Sequence, residues 1–553
     1  MTRYTFQLTD SLEKVLPACR PAPLEQDRAV LLQNQKWAFQ LAYTCANDDF
    51  GETSTEFRVR CSGPAAAAAE LRRVDLVPCD YPCHGTWDEN YLTTQPGLLP
   101  DLLVPLDTHE PIRAMPAQWR SLWVTVDASR LQPGDTELCL ETFTAEGEPL
   151  ASFVLSIQVL PQALPPQTLY QTQWFHADCL ADYYGVPVFS EEHWAILDKF
   201  IGCAAAHGIN MLLTPVFTPP LDTAKGGERT TVQLVEADWD GEAYRFDFSR
   251  LRRWTDICRR HGITEIEVSH LFTQWGAEFA PKIWVNTPAG PEKRFGWHTP
   301  AVGGEYTRFL RQFLLALKAE LDELVGLDHV WFHISDEPHD HEKETYAAAK
   351  ATIQDLLAGC HVIDALSSYA IYREGIVEKP IVCNDHLQTF ADHGVKNLWT
   401  YYCTVQAIGV PNRFMAMPSA RNRIMGVLLY QYDIEGFLHW GFNFYNSQRS
   451  VRHIDPFRVT DAGGAFPSGD PFLVYPGPGG EPWGSIRGEV LKDALQDLRL
   501  LRLCESRVGR PRTLELVREL AGEISFFAYP TDKAFFEKLW SAALELLAEN
   551  AGV

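Results

Sequence analysis

From about residue 171 to residue 442 the chain repeats one pattern, an apolar run of strand length followed by a helical stretch. That repetition limits the fold more than any other feature. Eight such runs stand at 171–178, 209–217, 264–271, 327–335, 361–367, 380–384, 395–403 and 434–442. Helical stretches separate most of them, as at 191–207, 248–261, 304–324, 342–357 and 419–432. Strands that alternate with helices pair in parallel, because each helix must cross back over the sheet. Eight units over roughly 270 residues match the size of a (β/α)8 TIM barrel, an α/β fold. An open, doubly wound sheet is the competing arrangement.

Before residue 165 the rhythm is different. Short alternating runs such as 121–126 and 151–160 are broken by turn residues, as at Gln132-Pro133-Gly134-Asp135, which is the pattern of a β-sandwich. The alanines at 65–69 read as a short helix or loop, and the proline-rich stretch 160–166 as an interdomain linker. A chain of 553 residues exceeds what one core usually supports. The expected division is a β-sandwich over 1–165, a barrel over 166–485 and a helical C-terminal segment over 486–553, with helices at 486–505, 513–524 and 533–549. The Gly/Pro-rich segment 463–484 reads as a long surface loop without a phosphate-cradling fingerprint.

With 48 basic against 72 acidic residues the formal charge is −24, which repels phosphate backbones and anionic membrane surfaces. Nucleic acid and membranes are therefore not expected partners. The 13 cysteines are scattered and form no Cys-x-x-Cys pair, which suits a reducing compartment. Residues Met1 to Asp10 lack the apolar core of a signal peptide, and no stretch approaches the roughly 18 apolar residues of a membrane span. A soluble, cytoplasmic protein is expected, unless a leader has been removed.

The run Val330-Trp331-Phe332-His333-Ile334-Ser335-Asp336-Glu337-Pro338 ends an apolar strand abruptly in two adjacent acids. Neighbouring strand residues point to opposite faces, so both acids can meet one substrate only where the ladder stops and the backbone turns. Pro338 favours such a turn and is expected to hold Glu337 extended. Taken alone, Asp-Glu-Pro is more readily a solvated turn capping the next helix.

In a barrel the ends of different strands share one rim. The first run ends in Trp174, Phe175, His176 and Asp178, and the third is followed by His270, Gln274 and Trp275. The seventh ends Trp399-Thr400-Tyr401-Tyr402, and the eighth runs through His439, Trp440 and Asn443. The 16 Trp, 19 Tyr and 30 Phe supply flat rings, and this rim adds hydroxyl-binding side chains, a combination that suits a small neutral glycan. Singly, each such ring is more often core than platform; together, at strand ends, they favour a site. A metal reading of His333, Asp336, His339, Asp340, His341 and Glu342 is the weaker one, because His339 and His341 are two apart and no His-Glu-x-x-His occurs. No Gly-x-Ser-x-Gly elbow, Rossmann or P-loop signature is present, so no cofactor is expected and carboxylate acid/base chemistry remains.

The segments Phe332 to Pro338, Trp399-Thr400-Tyr401-Tyr402-Cys403, Gly436-Phe437-Leu438-His439-Trp440-Gly441, Tyr475-Pro476-Gly477 and Ser485-Ile486-Arg487 together resemble the DUF4091 group, related to glycoside hydrolase family 123. The resemblance spans roughly 170–505. It implies a β-sandwich ahead of a (β/α)8 barrel and an exo-acting β-N-acetylgalactosaminidase with the Asp-Glu pair as its centre. The chain departs from the family pattern at His439, where a tyrosine is expected, and in a thinned Trp-rich stretch after the seventh strand.

What the resemblance implies for mechanism also suits adjacent acids. Glycosidases with a protein nucleophile hold separate carboxylates about 5 Å apart across the sugar, and neighbouring residues cannot easily straddle a ring. On the implied route Glu337 protonates the glycosidic oxygen and Asp336 orients the 2-acetamido group, whose carbonyl oxygen attacks the anomeric carbon. A proton resident on Glu337 beside an ionised Asp336 is the expected starting state. Tyr401 is the implied holder of the acetamido carbonyl, with Tyr402 the alternative. Trp174, His176, His270, Trp275, Trp399, Tyr402, Trp440 and Asn443 are the expected substrate contacts, with no metal. Two rivals stand beside this reading: a two-carboxylate glycosidase on a sugar lacking the acetamido group, and a non-catalytic carbohydrate-binding protein.

Overall fold

The computed structural model describes residues 4–46 and 55–550. Met1 to Arg3, within the stretch read for a leader, lie outside the described residues. Among the described residues no helix is long and apolar enough to cross a membrane.

The N-terminal part is strand-rich, built of two sheets that share one core. One sheet orders Tyr4–Asp10, Lys36–Cys45, Arg120–Asp127, Ala69–Cys79 and Gly97–Pro105; the other orders Arg28–Leu32, Pro149–Leu160, Gly134–Thr144, Thr55–Ser62 and Ile112–Ala114. Alternate residues turn inward. Phe39, Leu41, Leu122 and Val124 of the first sheet meet Leu138, Leu140, Leu155 and Ile157 of the second. The alanine run forms a single 3-10 turn at Ala66–Ala68. The proline-rich stretch is fixed rather than loose: Leu164 is buried, its amide donates to Asn34 Oδ1 at 2.7 Å, and its carbonyl accepts from Asn34 Nδ2 at 2.9 Å.

The segment 463–484 is mostly not surface loop. Phe472, Leu473, Val474 and Tyr475 are buried, and Tyr475–Pro476 and Pro482–Ser485 extend the first N-terminal sheet, the latter pairing with Gly97–Pro105. Glycines and prolines masked this short apolar run in the sequence.

Between these parts nine short parallel segments form a nearly closed barrel. The order is His361–Val362, Val330–Phe332, Glu265–Val268, Met211–Thr214, Tyr170–Gln173, Gly436–His439, Trp399–Tyr401, Pro380–Cys383 and Asp364–Ala365. The first and last are separated by Ile363 alone, so the sheet curls until its two ends meet. The order runs round the ring without the reversal that defines a doubly wound sheet. Trp174, Leu213, Trp331, Trp399, Tyr401 and Leu438 fill the interior, while Leu212, Ile266, Val268, Phe332 and Phe437 face outward into the large core shared with the surrounding helices.

Each of the eight predicted runs contains a strand, shorter than the apolar run around it. The rest of each run is loop or the edge of a helix, as at Ala177 and Leu327–His329. Helices follow closely where expected, as at Glu191–Ala206, where Ser190 Oγ accepts from the His193 amide at 3.2 Å. Unforeseen is a four-stranded sheet of Glu236–Trp239, Tyr244–Asp247, Ile283–Thr287 and Gly290–Phe295, set in the loops after the second and third barrel strands. The helical tail comprises Ile486–Val508, Arg510–Ala521 and Ala534–Glu549.

Candidate active site

The acids stand where the strand Val330–Phe332 runs out. Below them His333 points into the barrel, its Nε2 donating to Glu267 Oε1 at 2.7 Å and its Nδ1 to Asp364 Oδ1 at 3.2 Å. Burial alone would lower His333, but the hydrogen bonds to Asp364 and Glu267 more than offset it and raise the ring to about 10. It is therefore an imidazolium clamped between two carboxylates. Glu267 also accepts from Trp174 Nε1 at 2.8 Å and from Thr172 Oγ1. Asp364 accepts from the Ile334 amide at 3.1 Å and from the Tyr346 hydroxyl. Although His270, His333 and Asp364 stand within 4.8 Å of one another, both His333 nitrogens are committed to carboxylates. His339 and His341 are exposed and stack on each other at 5.8 Å, whereas His333 is fully buried.

Beyond His333 the backbone leans on the preceding loop, with the amides of Leu271 and Phe272 donating to the carbonyls of His333 and Ile334, and that of Trp275 to Asp336. Glu337 then departs from expectation. Its φ is +42°, in the left-handed region rather than extended. The turn overrides the preference imposed by Pro338, and its effect is to let consecutive side chains line one cavity.

That cavity is about 220 Å³ and is lined by Asp336, Glu337, Tyr401, Trp174, His176, Trp275 and Trp440, together with Asp222, Gln274, Arg449 and Phe466 from the surrounding loops. The Tyr401 hydroxyl donates to Glu337 Oε1 at 2.5 Å. Burial, then the neighbouring Glu337 carboxylate, push Asp336 well above the usual carboxylate range. Asp336, expected to be the ionised partner, is thus held toward its protonated form. Of the eleven non-glycine residues with positive φ among the described residues, Asp222, Trp275, Glu337 and Arg449 all line this one cavity. Backbone strain concentrates where a structure holds side chains for a task. A larger cleft of about 590 Å³ lies between the N-terminal strands and the last helix, away from the barrel's strand ends.

Of the expected substrate contacts, Trp174, His176, Trp275 and Trp440 come together around the acids. His176 Nδ1 accepts from Arg229 Nη2 at 3.0 Å and its Nε2 donates to the Trp440 carbonyl at 2.9 Å. Burial and the guanidinium lower it to about 3, so the ring is neutral. Arg229 in turn pairs with the buried Asp178. Trp440 donates through Nε1 to Asp470 Oδ2 at 2.9 Å, with its ring between Phe444 and Phe466. His439, the departure from the family pattern, works behind it. Its Nδ1 accepts from Arg413 at 2.8 Å and its Nε2 donates to Asp470 Oδ1 at 3.2 Å.

Four expected contacts lie elsewhere. Trp399 shares the inward face with Tyr401 but sits at the opposite end of the barrel, stacked on Tyr170 and donating to Glu435 at 3.0 Å. Tyr402 points outward, its hydroxyl donating to Asn422 at 3.2 Å, because adjacent strand residues alternate. His270 is buried beside Trp174, stacked on His333 at 4.3 Å. Asn443 is fully buried and clamps the His176 backbone, accepting from its amide at 2.9 Å and donating to its carbonyl at 3.1 Å. Asp222 and Arg449 were missed. They sit on loops after the second and eighth strands, which carry no periodic signal.

A model of the glycoside hydrolase 123 catalytic domain matches residues 174–504. Among solved structures, a family 123 glycoside hydrolase from Clostridium perfringens, described for glycolipid glycan hydrolysis, superposes with a TM-score of 0.72 at 14% identity, covering 100% of this chain and 98% of that one. At that identity the likeness is one of fold. An endo-β-1,4-mannanase from Thermotoga petrophila covers 61% of this chain and 78% of its own, with a TM-score of 0.32 at 11% identity. No curated protein matches by sequence.

Proposed function

Since the chain belongs to glycoside hydrolase family 123, we propose that it is a retaining exo-β-N-acetylhexosaminidase of the DUF4091-like kind, acting on β-linked N-acetylgalactosamine through the substrate's own acetamido group. One observation carries this reading: Asp336 and Glu337 line the same cavity as consecutive residues, with Tyr401 hydrogen-bonded to Glu337. Glu337 gives its proton to the glycosidic oxygen as the bond to the anomeric carbon breaks. Asp336 accepts from the acetamido N–H, which aims the carbonyl oxygen at that carbon, and Tyr401 transfers its hydrogen bond from Glu337 to the carbonyl. Water then opens the oxazolinium ring, with Glu337 as base.

The small cavity, bounded by the joined loops carrying Asp222 and Arg449, favours a single terminal sugar. For the architecture we count the two segments flanking Ile363 as one interrupted strand, which makes a (β/α)8 barrel over 166–485, between a sandwich at 1–165 and helices at 486–553. All 13 cysteines are free, in keeping with a cytoplasmic setting.

The two-carboxylate rival draws on Asp222, the other carboxylate lining the cavity. Aryl β-glycosides with and without the 2-acetamido group, assayed with a thiazoline analogue, separate the readings. Hydrolysis confined to acetamido sugars and tight competitive inhibition by the thiazoline are expected. Hydrolysis indifferent to both would move the assignment to a protein nucleophile, and no hydrolysis at all to a binding protein.

A further inference from the structure

Two acceptor atoms on one wall of the cavity have no partner. Asp222 uses Oδ2 to accept from the Arg449 amide at 2.9 Å, while its Oδ1 has no hydrogen bond among the described residues. Gln274 is only 3% exposed; its Nε2 donates to the Thr223 carbonyl at 3.0 Å, which fixes the amide orientation and leaves Oε1 buried and unpaired. Thr223 follows Asp222 directly, so this bond ties the two acceptors to one place. The wall is also braced from the far side. Arg449 and Asp222 both hold left-handed backbone, the Ala224 amide donates to the Arg449 carbonyl at 3.0 Å, and Ser450 Oγ donates to the Asp222 carbonyl at 2.8 Å.

A buried acceptor without a donor, as Gln274 Oε1 is, costs stability unless a ligand supplies one, and the half-buried Asp222 Oδ1 is open to the cavity beside it. A ligand that carries several O–H donors on one ring, as a sugar does, can satisfy both acceptors. We propose that Asp222 Oδ1 and Gln274 Oε1 are the acceptors that bind hydroxyl groups of the terminal sugar and set which hydroxyl pattern the cavity accepts. The inference rests on the reading of this cavity as a glycoside site, but assigns these residues to recognition rather than to bond cleavage. Burial raises Asp222 to about 6, so at neutral pH it is an anion with an open acceptor. Such sites reject analogues that lack the hydroxyl far more strongly than they reject a change in bulk, because the buried polar group is then left unpaired.

The test uses the full chain, titrating the parent sugar and its singly deoxygenated analogues by calorimetry and measuring kcat/KM on the matching aryl glycosides. Asp222→Asn keeps an oxygen for the Arg449 amide but replaces the free acceptor with an NH2 donor; Gln274→Leu keeps the bulk. Wild type should disfavour at least one deoxy analogue by about 100-fold, and each variant should lose most of that discrimination by weakening on the parent alone. Equal losses on parent and deoxy substrates would assign Asp222 to the reacting centre or the fold, and unchanged discrimination would remove it from recognition. Either overturns the proposal while leaving hydrolysis of acetamido glycosides intact as evidence for the function. Discrimination in binding with no glycoside hydrolysed would support the acceptors and overturn the function instead.

Discussion

Two neighbouring carboxylates meet different surroundings: Glu337 receives a phenol hydrogen bond, while desolvation and the neighbouring carboxylate push Asp336 up. Glu337→Gln should lower hydrolysis of glycosides with poor leaving groups by about 10²- to 10⁴-fold and spare more activity on activated aryl glycosides, which need less protonation. Asp336→Asn should impair both kinds alike, and near-normal rates in that variant would exclude assistance by the acetamido group. The raised position of Asp336 also fixes a sign. If its ionised form orients the substrate, kcat/KM must fall as pH drops through a value well above the usual carboxylate range. His333 holds Asp336 down through its positive charge, so His333→Gln should move that acid limb to higher pH; a drop in rate with an unmoved limb would mark a purely structural role. The adjacent acids stood out because an apolar run ends abruptly there in two charges, although Asp-Glu-Pro taken alone reads more readily as a helix-capping turn. The conformation at Glu337 was not, since local preference before proline points to extended backbone and only the lacing to 271–275 overrides it.

Strands were found where apolar runs stood, because a barrel strand is buried on both faces and leaves a continuous hydrophobic trace. Depth along the strand leaves none. Trp399 and Tyr401 face the same way two residues apart, yet one closes the floor and the other reaches the acids. The small four-stranded sheet escaped notice because its strands mix charged and aromatic residues over only four to six positions. The eighth strand illustrates how an element serves the site through what supports it: Arg413, His439 and Asp470 form a buried chain ending on the Trp440 indole. Trp440→Ala should cost about 1–3 kcal/mol in kcat/KM as lost aromatic contact. Asp470→Asn should move kcat/KM in the same direction by a smaller factor, and unchanged kinetics in a folded Trp440→Ala would place that ring outside recognition.

Across the whole molecule, buried charge makes stability depend on pH in a defined direction. His333 binds its proton more tightly folded, at about 10, than an unperturbed histidine near 6.5. Its contribution is full below that unperturbed value and is lost as pH rises through about 10, on the order of a few kcal/mol. Thermal unfolding of wild type should therefore decline across that window more steeply than that of His333→Gln. Arg487, at the start of the C-terminal helix Ile486–Val508, donates twice to Asp101 of the strand Gly97–Pro105 at 2.9 Å, and Tyr475 of the same sheet donates to that carboxylate at 2.6 Å. Asp101→Ala should destabilise by about 3–5 kcal/mol, because it strands a buried guanidinium. A loss under about 1 kcal/mol in chemical denaturation would show that water reaches the pair.

The pairing of Pro482–Ser485 with Gly97–Pro105 carries a consequence for the order of events on the ribosome. The strand Gly97–Pro105 emerges early, but the segment that covers its outer edge is among the last to be made, almost 400 residues later. Until then a mostly apolar edge stands open to other nascent chains, and edges of that kind seed aggregation. Synthesis speed and chaperone supply, rather than equilibrium stability, should thus decide how much of this protein a cell recovers.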